Sequence, residues 1–426
     1  MKVAVIGSGG REHALALKIS ESEMLKNLYI IPGNPGTSQI GENVNLDINN
    51  NKEIVSFCIL KEIDLVVIGP EQPLVNGLAN ELRANGILVF GPDSAASKIE
   101  AHKTLAKKLM ISAGIPTAKY MEFNTSMHNQ LKDFIIQKKY PCVFKADGLA
   151  AGKGVVICNN AEEAEAALKS FFIDRIFGES GDKILIEEFL EGEEASVFAI
   201  TDGNNFICLP ASQDHKRIGD NDTGKNTGGM GAYAPAPIIT NQILNEISVK
   251  IIAPTLQALK AEGKPFIGCL YAGLVLTSNG VKVIEFNCRF GDPETQVVLP
   301  LLKGDFLKLL HSAASGKLDK DSVSYNGGSS VCVVAASHGY PGEYKKGLEI
   351  FGLDEVPEKT IVFHAGTKED NGKILTNGGR VLGVTSVLDE NDLKRAKRLA
   401  YRALDKIHFL NMYYRKDIAD KAIEKL

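Results

Sequence analysis

The segment VIEFNCRFGDPETQ, residues 283–296, contains residue types that bind metals and anions. Side chains alternate between the two faces of a β-strand, so Glu285, Asn287 and Arg289 would share one face. A carboxylate and an amide oxygen side by side are hard ligands of the kind that magnesium prefers. A guanidinium on the same face can hold a carboxylate or a phosphate through two parallel hydrogen bonds. The pattern favours a metal site, and the alternative is a half-exposed sheet face with an ordinary ion pair.

A second segment, KADGLAAGKGVVI at residues 145–157, places a lysine between glycines after a short apolar run. A phosphate-binding P-loop has four residues between its first glycine and the Gly-Lys pair, and then a Ser or Thr. Here only three residues separate Gly148 from Gly152 and Lys153, and the next residue is Gly154. The segment is therefore not a P-loop, and the residues alone leave open which phosphate it contacts, if any.

Residues 184–198, ILIEEFLEGEEASVF, end an apolar strand with carboxylates. The segment fits a hinge that binds an adenine edge and a ribose, but its composition alone favours a charged surface turn. Residues 212–237 have no apolar periodicity, and long irregular stretches are uncommon in compact domains unless they are functional. Asp214, Lys216 and a run of glycines predict a loop that orders over charged ligands, with a solvated loop as the alternative. His215 is expected at the surface.

The first hundred residues predict an open parallel α/β sheet, because apolar strands alternate with amphipathic segments. Glycine-bearing loops follow these strands, at the edge where such sheets bind ligands. The dinucleotide fingerprint G-x-G-x-x-G is broken, since Glu12 stands where its last glycine belongs. A phosphate bound at the helix N-terminus and a βα turn without a ligand both remain consistent with the sequence.

The composition excludes several classes of protein. The chain has 426 residues with 48 basic and 52 acidic side chains, so no basic field predicts nucleic-acid binding. Its seven cysteines include no C-x-x-C pair and lie mostly in apolar runs, as expected of reduced, buried thiols. No apolar run approaches the length of a membrane span. We therefore expect a cytoplasmic protein without a membrane partner.

The remaining sequence predicts two further regions. A single helix is expected over residues 97–114, followed by strands with hairpin turns, a helix near 241–261 and a hairpin that turns at 278–280. The last region closes on a helix with five apolar positions at helical spacing. These positions are Leu393, Ala396, Ala400, Ala403 and Ile407. The predicted domains are 1–100, 101–320 (with a mobile subdomain at 122–195) and 327–426.

The order of these motifs resembles the ATP-grasp fold, in which two α+β subdomains hold ATP between them. Within that fold the chain resembles the phosphoribosylamine–glycine ligase family from residue 1 to near its end. The resemblance implies an N-terminal open α/β domain, a central ATP-grasp domain and a C-terminal α/β domain. The motifs that carry it are GSGGREHALA, PGNPGT, GPEQPLVNG, KADGLAAGKGV, EEFLEGEEAS, QDHKRIGDNDTGKNTGGMGAY, VIEFNCRFGDPETQ, HAGT and TNGGRVL.

The resemblance implies that ATP, glycine and 5-phosphoribosylamine give glycinamide ribonucleotide, ADP and phosphate through glycyl phosphate. It implies magnesium or manganese as the metal and a monomer or weak dimer. It also implies an ATP site made of phosphate-binding lysines, a closing loop, an adenine pocket and a ribose carboxylate. The phosphate-binding lysines would be Lys103 (or Lys107) and Lys145, and the closing loop would contain Gly152, Lys153 and Gly154. The adenine pocket would include Glu187 and Leu190, and the ribose carboxylate would be Glu194.

The resemblance further implies that Glu285 and Asn287 bind the metal. It assigns the amino end of glycine to Asp214 and the carboxylate end to Arg289, with Lys216 also at the substrate. It places the sugar phosphate at Gly9, Gly10 and Asn34, and the sugar hydroxyls at Glu71.

Two departures from the expected motifs stand out. The hairpin strand before Glu285 reads CLYAGLV and lacks the carboxylate that ATP-grasp enzymes generally carry, and Pro35 stands where a small residue is expected. Two alternatives remain: an enzyme like biotin carboxylase, with the same ATP site, and a nucleotide-binding regulator without catalysis. The intact metal face and both lysines argue against the regulator.

Overall fold

The computed structural model describes residues 1–149 and 154–425. The N-terminal region is a five-stranded parallel sheet in the order β3-β2-β1-β4-β5, as predicted. The central strand of this sheet contains an unbroken run of apolar residues, Val3 to Ile6, and all of them are fully buried. The elements are β1 Lys2–Gly7, α1 Gly10–Ser20, β2 Asn27–Pro32, β3 Glu42–Asn43, α2 Asn51–Leu60, β4 Leu65–Ile68, α3 Glu71–Val75, α4 Leu78–Ala84, β5 Leu88–Phe90 and α5 Ser94–Ala101.

The order in which successive strands join this sheet reverses between β1 and β4, which are parallel neighbours. In open α/β sheets this is the point where the loops after two adjacent strands diverge and leave a crevice. The loop after β1 contains Gly9, and the loop after β4 leads to Glu71. The strand order therefore brings the glycine loop and a carboxylate to one edge of the sheet.

The prediction of one helix over residues 97–114 is wrong. The helix divides at His102, whose backbone is extended (φ −129°, ψ 103°), and α6 Lys103–Ser112 begins at the next residue. Asp147 explains the division, because its carboxylate accepts hydrogen bonds from the Thr104 amide (2.7 Å) and hydroxyl (3.0 Å). An N–H group at the start of α6 is thus satisfied by a residue 43 positions later in the chain.

The central region has two antiparallel sheets. The first, which we call the lid sheet, has the order β6-β9-β7-β8, and the second has the order β11-β10-β16-β17. Phe144 and Phe171 are fully buried in the core of the lid. The elements are β6 Tyr120–Asn124, α7 His128–Gln137, β7 Cys142–Ala146, β8 Val155–Cys158, α8 Ala161–Leu168, β9 Lys183–Glu188, β10 Glu193–Asp202, β11 Phe206–Cys208, α9 Asn241–Ile247, α10 Ala253–Ala261, β16 Ile267–Thr277 and β17 Gly280–Asn287.

The third region is built on an antiparallel sheet in the order β12-β15-β20-β24-β21, with β25 paired to β20. The five apolar positions predicted around its helix are all buried. The elements are β12 Gln213–Asp214, β13 Arg217–Gly219, β14 Thr223–Asn226, β15 Gly231–Ala234, α11 Thr295–Val298, β18 Lys303–Gly304, α12 Phe306–Ala314, β19 Val323–Ser324, β20 Ser329–Ser337, β21 Thr360–His364, β22 Thr367–Asp370, β23 Lys373–Thr376, β24 Arg380–Leu388, α13 Leu393–Leu404, β25 Met412–Tyr413 and α14 Asp420–Ile423.

The irregular segment predicted at 212–237 contains strands that join this third sheet. Tyr233 in β15 is opposite Val331 in β20, and Gln213 in β12 is opposite Tyr233. The C-terminal sheet therefore takes strands from both sides of the domain boundary predicted near residue 320. Within the described residues, no helix is long and apolar enough to cross a membrane.

Candidate functional site: a lysine cluster beside the strand of the predicted metal ligands

Two lysines share a single oxygen of the buried Glu187 carboxylate. The Nζ atoms of Lys107 and Lys145 lie 3.1 and 3.0 Å from Glu187 Oε2, whereas Glu187 Oε1 has no hydrogen-bond partner among the described residues. Buried acceptors are almost always paired, so this oxygen marks a place for a donor such as an amino group. Burial lowers the pKa of Lys107 to about 8, although the charge of Glu187 opposes the shift.

The lysine cluster lies against the strand that carries the predicted metal ligands. Lys145 Nζ donates to the Ile284 carbonyl at 3.2 Å, which connects the lid sheet to β17. Lys103 begins α6 and donates from Nζ to the Gly148 carbonyl at 3.3 Å. Burial lowers the pKa of Lys103, and the charge of Glu285 opposes that shift.

The glycine-rich loop after β7 is only partly described. Gly154 accepts a hydrogen bond from the Ala146 amide at 2.8 Å and continues the pairing of β7 with β8. Gly152 and Lys153 lie outside the described residues, so their predicted closure over ATP phosphates stays a prediction. Leu190, predicted to line the adenine pocket, is half-buried just after β9.

Strand β17 presents Glu285 and Asn287 together. Both side chains are half-buried, while Phe286 and Cys288 are fully buried, in agreement with the predicted alternation. Gly273 on β16 is opposite Glu285, and a Cβ atom there would lie 3.2 Å from Glu285 Cγ. The described residues contain no group of three or more His, Cys, Asp or Glu side chains suited to a metal. One carboxylate and one amide still fit magnesium, which keeps waters and phosphate oxygens as its other ligands.

Arg289, predicted to bind the glycine carboxylate, lies just after β17 between two carboxylates. Its Nε is 3.2 Å from Glu71 Oε2, and its Nη2 is 2.9 Å from Glu100 Oε1. Burial raises the pKa of Glu71, but Arg289 and Arg11 outweigh it and bring the value to about 2. The structure thus brings Arg289 and Glu71 together, where each neutralises the other.

Lys216 joins two predicted site residues, Asp214 and Glu194. Its Nζ lies 2.9 Å from Asp214 Oδ1 and 2.6 Å from Glu194 Oε2. The pKa of Asp214 is raised by burial, and the neighbouring Lys216 opposes that shift. The structure therefore brings the predicted ribose carboxylate, Glu194, next to the residues predicted to hold substrate.

Glu294 was missed as an individual site residue, although it lies within the quoted GDPETQ motif. Its buried carboxylate accepts a hydrogen bond from the Tyr271 hydroxyl at 2.9 Å. Burial and the charge of Asp214 raise the pKa of Glu294 to about 7, against the effect of Lys216. The sequence signal was a carboxylate after a proline, which is also the composition of an ordinary helix start.

The three residues predicted at the sugar phosphate lie near α1. A Cβ atom at Gly9 would lie 2.7 Å from Glu12 Oε2, and one at Gly10 would lie 2.6 Å from Gln296 Nε2, so a larger residue at either position would displace the end of that side chain. Asn34 Nδ2 donates at 2.9 Å to the carbonyls of Ser8 and His364, and its Oδ1 accepts from the loop that follows it. Its side chain thus connects the N-terminal and C-terminal regions.

The expectation that His215 lies at the surface is wrong. Its side chain is 1% exposed, and neither ring nitrogen has a hydrogen-bond partner among the described residues. Burial lowers the pKa of His215 to about 3, and the charge of Arg415 adds to the effect. The ring packs against Tyr233 of β15, with the two ring centroids 5.9 Å apart.

Three family models together match most of the chain. They are described as the phosphoribosylglycinamide synthetase N domain (residues 1–100), ATP-grasp (A) domain (101–295) and C domain (330–421). A phosphoribosylamine–glycine ligase of Caldanaerobacter subterraneus is 47% identical over 98% of this chain and 99% of its own length. One from Synechocystis is 48% identical over 99% of this chain and 100% of its own.

Solved structures agree with these matches. The crystal structure of phosphoribosylamine–glycine ligase from Thermotoga maritima has a TM-score of 0.84 at 35% identity and covers 98% of this chain and 100% of that one. Biotin carboxylase from Campylobacter jejuni has a TM-score of 0.73 at 16% identity over 99% of this chain and 95% of that one, which indicates a shared fold alone. The full-length family matches, and the site geometry that accompanies them, show that this chain belongs to the phosphoribosylglycinamide synthetase family, with its ATP-grasp domain at the centre.

Proposed function

We propose that the chain joins glycine to 5-phosphoribosylamine at the expense of ATP, giving glycinamide ribonucleotide, ADP and phosphate. The observation that carries this proposal is the similarity over the whole chain to relatives named phosphoribosylamine–glycine ligase. The lysine cluster and the carboxylate–amide pair on β17 support it independently, because they suit phosphoryl transfer.

The ATP phosphates would lie at Lys103 and Lys145, with Lys107 as the alternative to Lys103. Such cationic side chains would neutralise the negative charge of the transferring phosphoryl group. The unpaired oxygen of Glu187 would accept a hydrogen bond from the adenine amino group, with Leu190 packing against the base. The remaining parts of this site would be Glu194 at the ribose, and Gly152, Lys153 and Gly154 over the phosphates.

Glu285 and Asn287 would hold magnesium or manganese on β17. When bound there, the metal would neutralise charge on the phosphate oxygens. The protein's own part is to keep the two oxygen ligands side by side on a strand that Lys145 contacts at the Ile284 carbonyl.

Glycine would bind with its amino group at Asp214 and Lys216 nearby, and with its carboxylate at Arg289. A carboxylate oxygen of glycine attacks the γ-phosphorus of ATP, and the bond from that phosphorus to the oxygen that bridges to the β-phosphate breaks. The products of this step are glycyl phosphate and ADP. The amine of phosphoribosylamine then attacks the carbonyl carbon, the carbon–oxygen bond to phosphate breaks, and the nitrogen loses a proton. No protein nucleophile takes part, so the residues act by alignment and by neutralising charge.

The sugar phosphate of phosphoribosylamine would lie at Gly9, Gly10 and Asn34, with Glu71 at its hydroxyls. The partly exposed Glu71 carboxylate is supported in this role by its position at the edge where the sheet order reverses. Because Glu71 also pairs with Arg289, the two substrates would meet on either side of one ion pair.

Phosphate release from ATP, measured with phosphoribosylamine generated in the cuvette, tests the proposed function. We expect release only when glycine and phosphoribosylamine are both present, together with a product that contains the carbon of glycine. Release that depends on bicarbonate would favour the alternative enzyme like biotin carboxylase. Tight ATP binding without any release would instead favour a nucleotide-binding regulator.

A further inference from the structure

The C-terminal end of the chain holds the segment that carries Asp214 and Lys216. We call residues 413–421 the C-terminal strap. Arg415, within the strap, is 0% exposed and donates from Nη1 to the Arg217 carbonyl at 3.0 Å and to Asp222 Oδ1 at 2.9 Å. Its other nitrogens donate to the two oxygens of Asp417 at 2.7 and 2.6 Å. A planar guanidinium with two carboxylates and a carbonyl makes a rigid junction.

Further hydrogen bonds fix the same hairpin, β13 and β14, on the strap. The Tyr413 hydroxyl donates to the Ile218 carbonyl at 2.8 Å. The Lys416 amide donates to Asp220 Oδ1, and the Asn221 amide donates to Asp417 Oδ2, each at 2.8 Å. Contacts from carbonyl, amide and carboxylate groups together leave the hairpin little freedom to shift along the strap.

The hairpin continues directly into the candidate substrate residues. The Arg217 carbonyl that Arg415 holds is one residue from Lys216, whose Nζ lies 2.9 Å from Asp214. On the other side of Lys216, the His215 amide donates to the Gly231 carbonyl at 2.9 Å. Lys216 is therefore held between the third sheet and the strap. The strap residue Arg415 is 198 positions after Arg217, the residue whose carbonyl it contacts.

We propose that Arg415 is a positioning residue for the glycine site, acting through the Arg217 carbonyl on the placement of Lys216 and Asp214. The inference rests on the proposed function, in which Asp214 receives the amino group of glycine. Arg415 lies outside the lysine cluster, whose partners are Glu187, Ile284 and Gly148. Lys216 also contacts Glu194, the residue proposed at the ribose, so loss of Arg415 should weaken ATP binding as well, but less than it weakens the use of glycine.

The test compares Arg415→Gln with the milder Tyr413→Phe and with the control Arg395→Gln. Arg395 belongs to the same region but pairs with Glu390 on the surface. For each protein we would measure the KM for glycine, kcat, the Kd of ATP by calorimetry and the thermal unfolding midpoint.

We expect Arg415→Gln to raise the glycine KM about tenfold or more, with the Kd of ATP changed less than about threefold. Tyr413→Phe should raise the glycine KM in the same direction by a smaller factor, and Arg395→Gln should leave it unchanged. Equal changes in the glycine and ATP parameters would overturn the proposal. If Arg415→Gln does not fold, an unchanged glycine KM in Tyr413→Phe would also overturn it. Glycine-dependent turnover by the unaltered protein, measured in the same assay, tests the proposed function separately.

Discussion

Lys107 and Lys145 contact the same oxygen of Glu187. Among the described residues, Lys145 differs from Lys107 in also contacting β17, the strand of the predicted metal ligands, through the Ile284 carbonyl. This difference predicts unequal roles for two lysines that look equivalent around the carboxylate. A hydrogen bond to a charged group contributes about 1.5–3 kcal/mol. We expect Lys145→Met to weaken ATP binding by about ten- to a hundredfold, with a smaller loss in Lys107→Met. Calorimetry with ATP would measure both, with the exposed Lys183→Met as the control.

Equal losses in the two lysine variants would contradict the distinct role of Lys145. An equal loss in Lys183→Met would show that the effect is one of general charge and not of the cluster.

Glu285 provides a direct test of the metal site. We expect Glu285→Ala to lower kcat by about a hundredfold or more, as loss of a group that neutralises transition-state charge usually does. The fold should persist, because the side chain is half-buried and lies over Gly273 without an ion-pair partner among the described residues. Steady-state kinetics and thermal unfolding measure the two effects, with the exposed Glu246→Gln as control. Retained activity at saturating magnesium would remove Glu285 from the site.

Glu294 should make the folded protein less stable as the pH rises through neutrality. Its pKa is raised from 4.5 to about 7, chiefly by burial, so the folded state binds this proton more tightly than the unfolded state. The stabilisation is complete below the pKa that Glu294 has in the unfolded chain, and it is lost as the pH rises through the pKa that Glu294 has in the folded protein. Each unit of pKa difference corresponds to about 1.4 kcal/mol.

The Glu294→Gln variant carries no titrating proton, so the free energy of unfolding should fall less steeply with pH than in the unaltered protein. Urea unfolding at a series of pH values between about 5 and 8 measures the two slopes. Parallel curves would show that Glu294 does not titrate in this range.

At the scale of elements, Asp147 connects the lid sheet to α6. Loss of a side-chain acceptor at a helix start costs about 0.5–2 kcal/mol, and Asp147→Ala should lower the free energy of unfolding by such an amount. The same change should weaken ATP binding, because Lys103 is the first residue of α6. Asp93→Ala is the matched control, since Asp93 caps α5 through the Ala96 amide at 2.9 Å. It should cost similar stability and leave ATP affinity unchanged, and equal ATP losses in both variants would contradict the link.

Local patterns were sufficient to predict several elements. Strand β7, Cys142–Ala146, is one of the strands expected after the helix at 97–114, and the face shared by Glu285 and Asn287 follows from alternation along one strand. The break at His102 could not be predicted, because Asp147, which stabilises the new helix start, is distant in the sequence. Strand β15 was missed for the same reason, since its partner β20 begins almost one hundred residues later.

The candidate site was predictable only in part. Residue types suggested the lysines and the metal pair, but sequence could not reveal that Arg289 is neutralised by Glu71 and Glu100. Nor could it reveal that His215 is buried, because that depends on the pairing of its segment with β15, where its ring packs against Tyr233. Ion pairs between distant segments thus mark the limit of what this sequence predicts.

At the scale of the whole molecule, the three regions are interleaved. The C-terminal sheet contains β12 and β15 from the middle of the chain, and Asn34 connects the N-terminal loops to His364. The candidate sites for ATP, glycine and the sugar phosphate therefore draw on all three regions. Such an arrangement suits a ligase that must align three substrates before transfer.

The most direct test of the central claim uses glycine labelled with ¹⁸O in its carboxylate, together with ATP and phosphoribosylamine. If glycine attacks the γ-phosphorus, one carboxylate oxygen leaves with the phosphate when the amine attacks the carbonyl. We predict one ¹⁸O atom in the released phosphate for each glycinamide ribonucleotide formed, as measured by mass spectrometry. Product formed alongside unlabelled phosphate would contradict activation of glycine as glycyl phosphate, and the absence of any product would contradict the ligase itself.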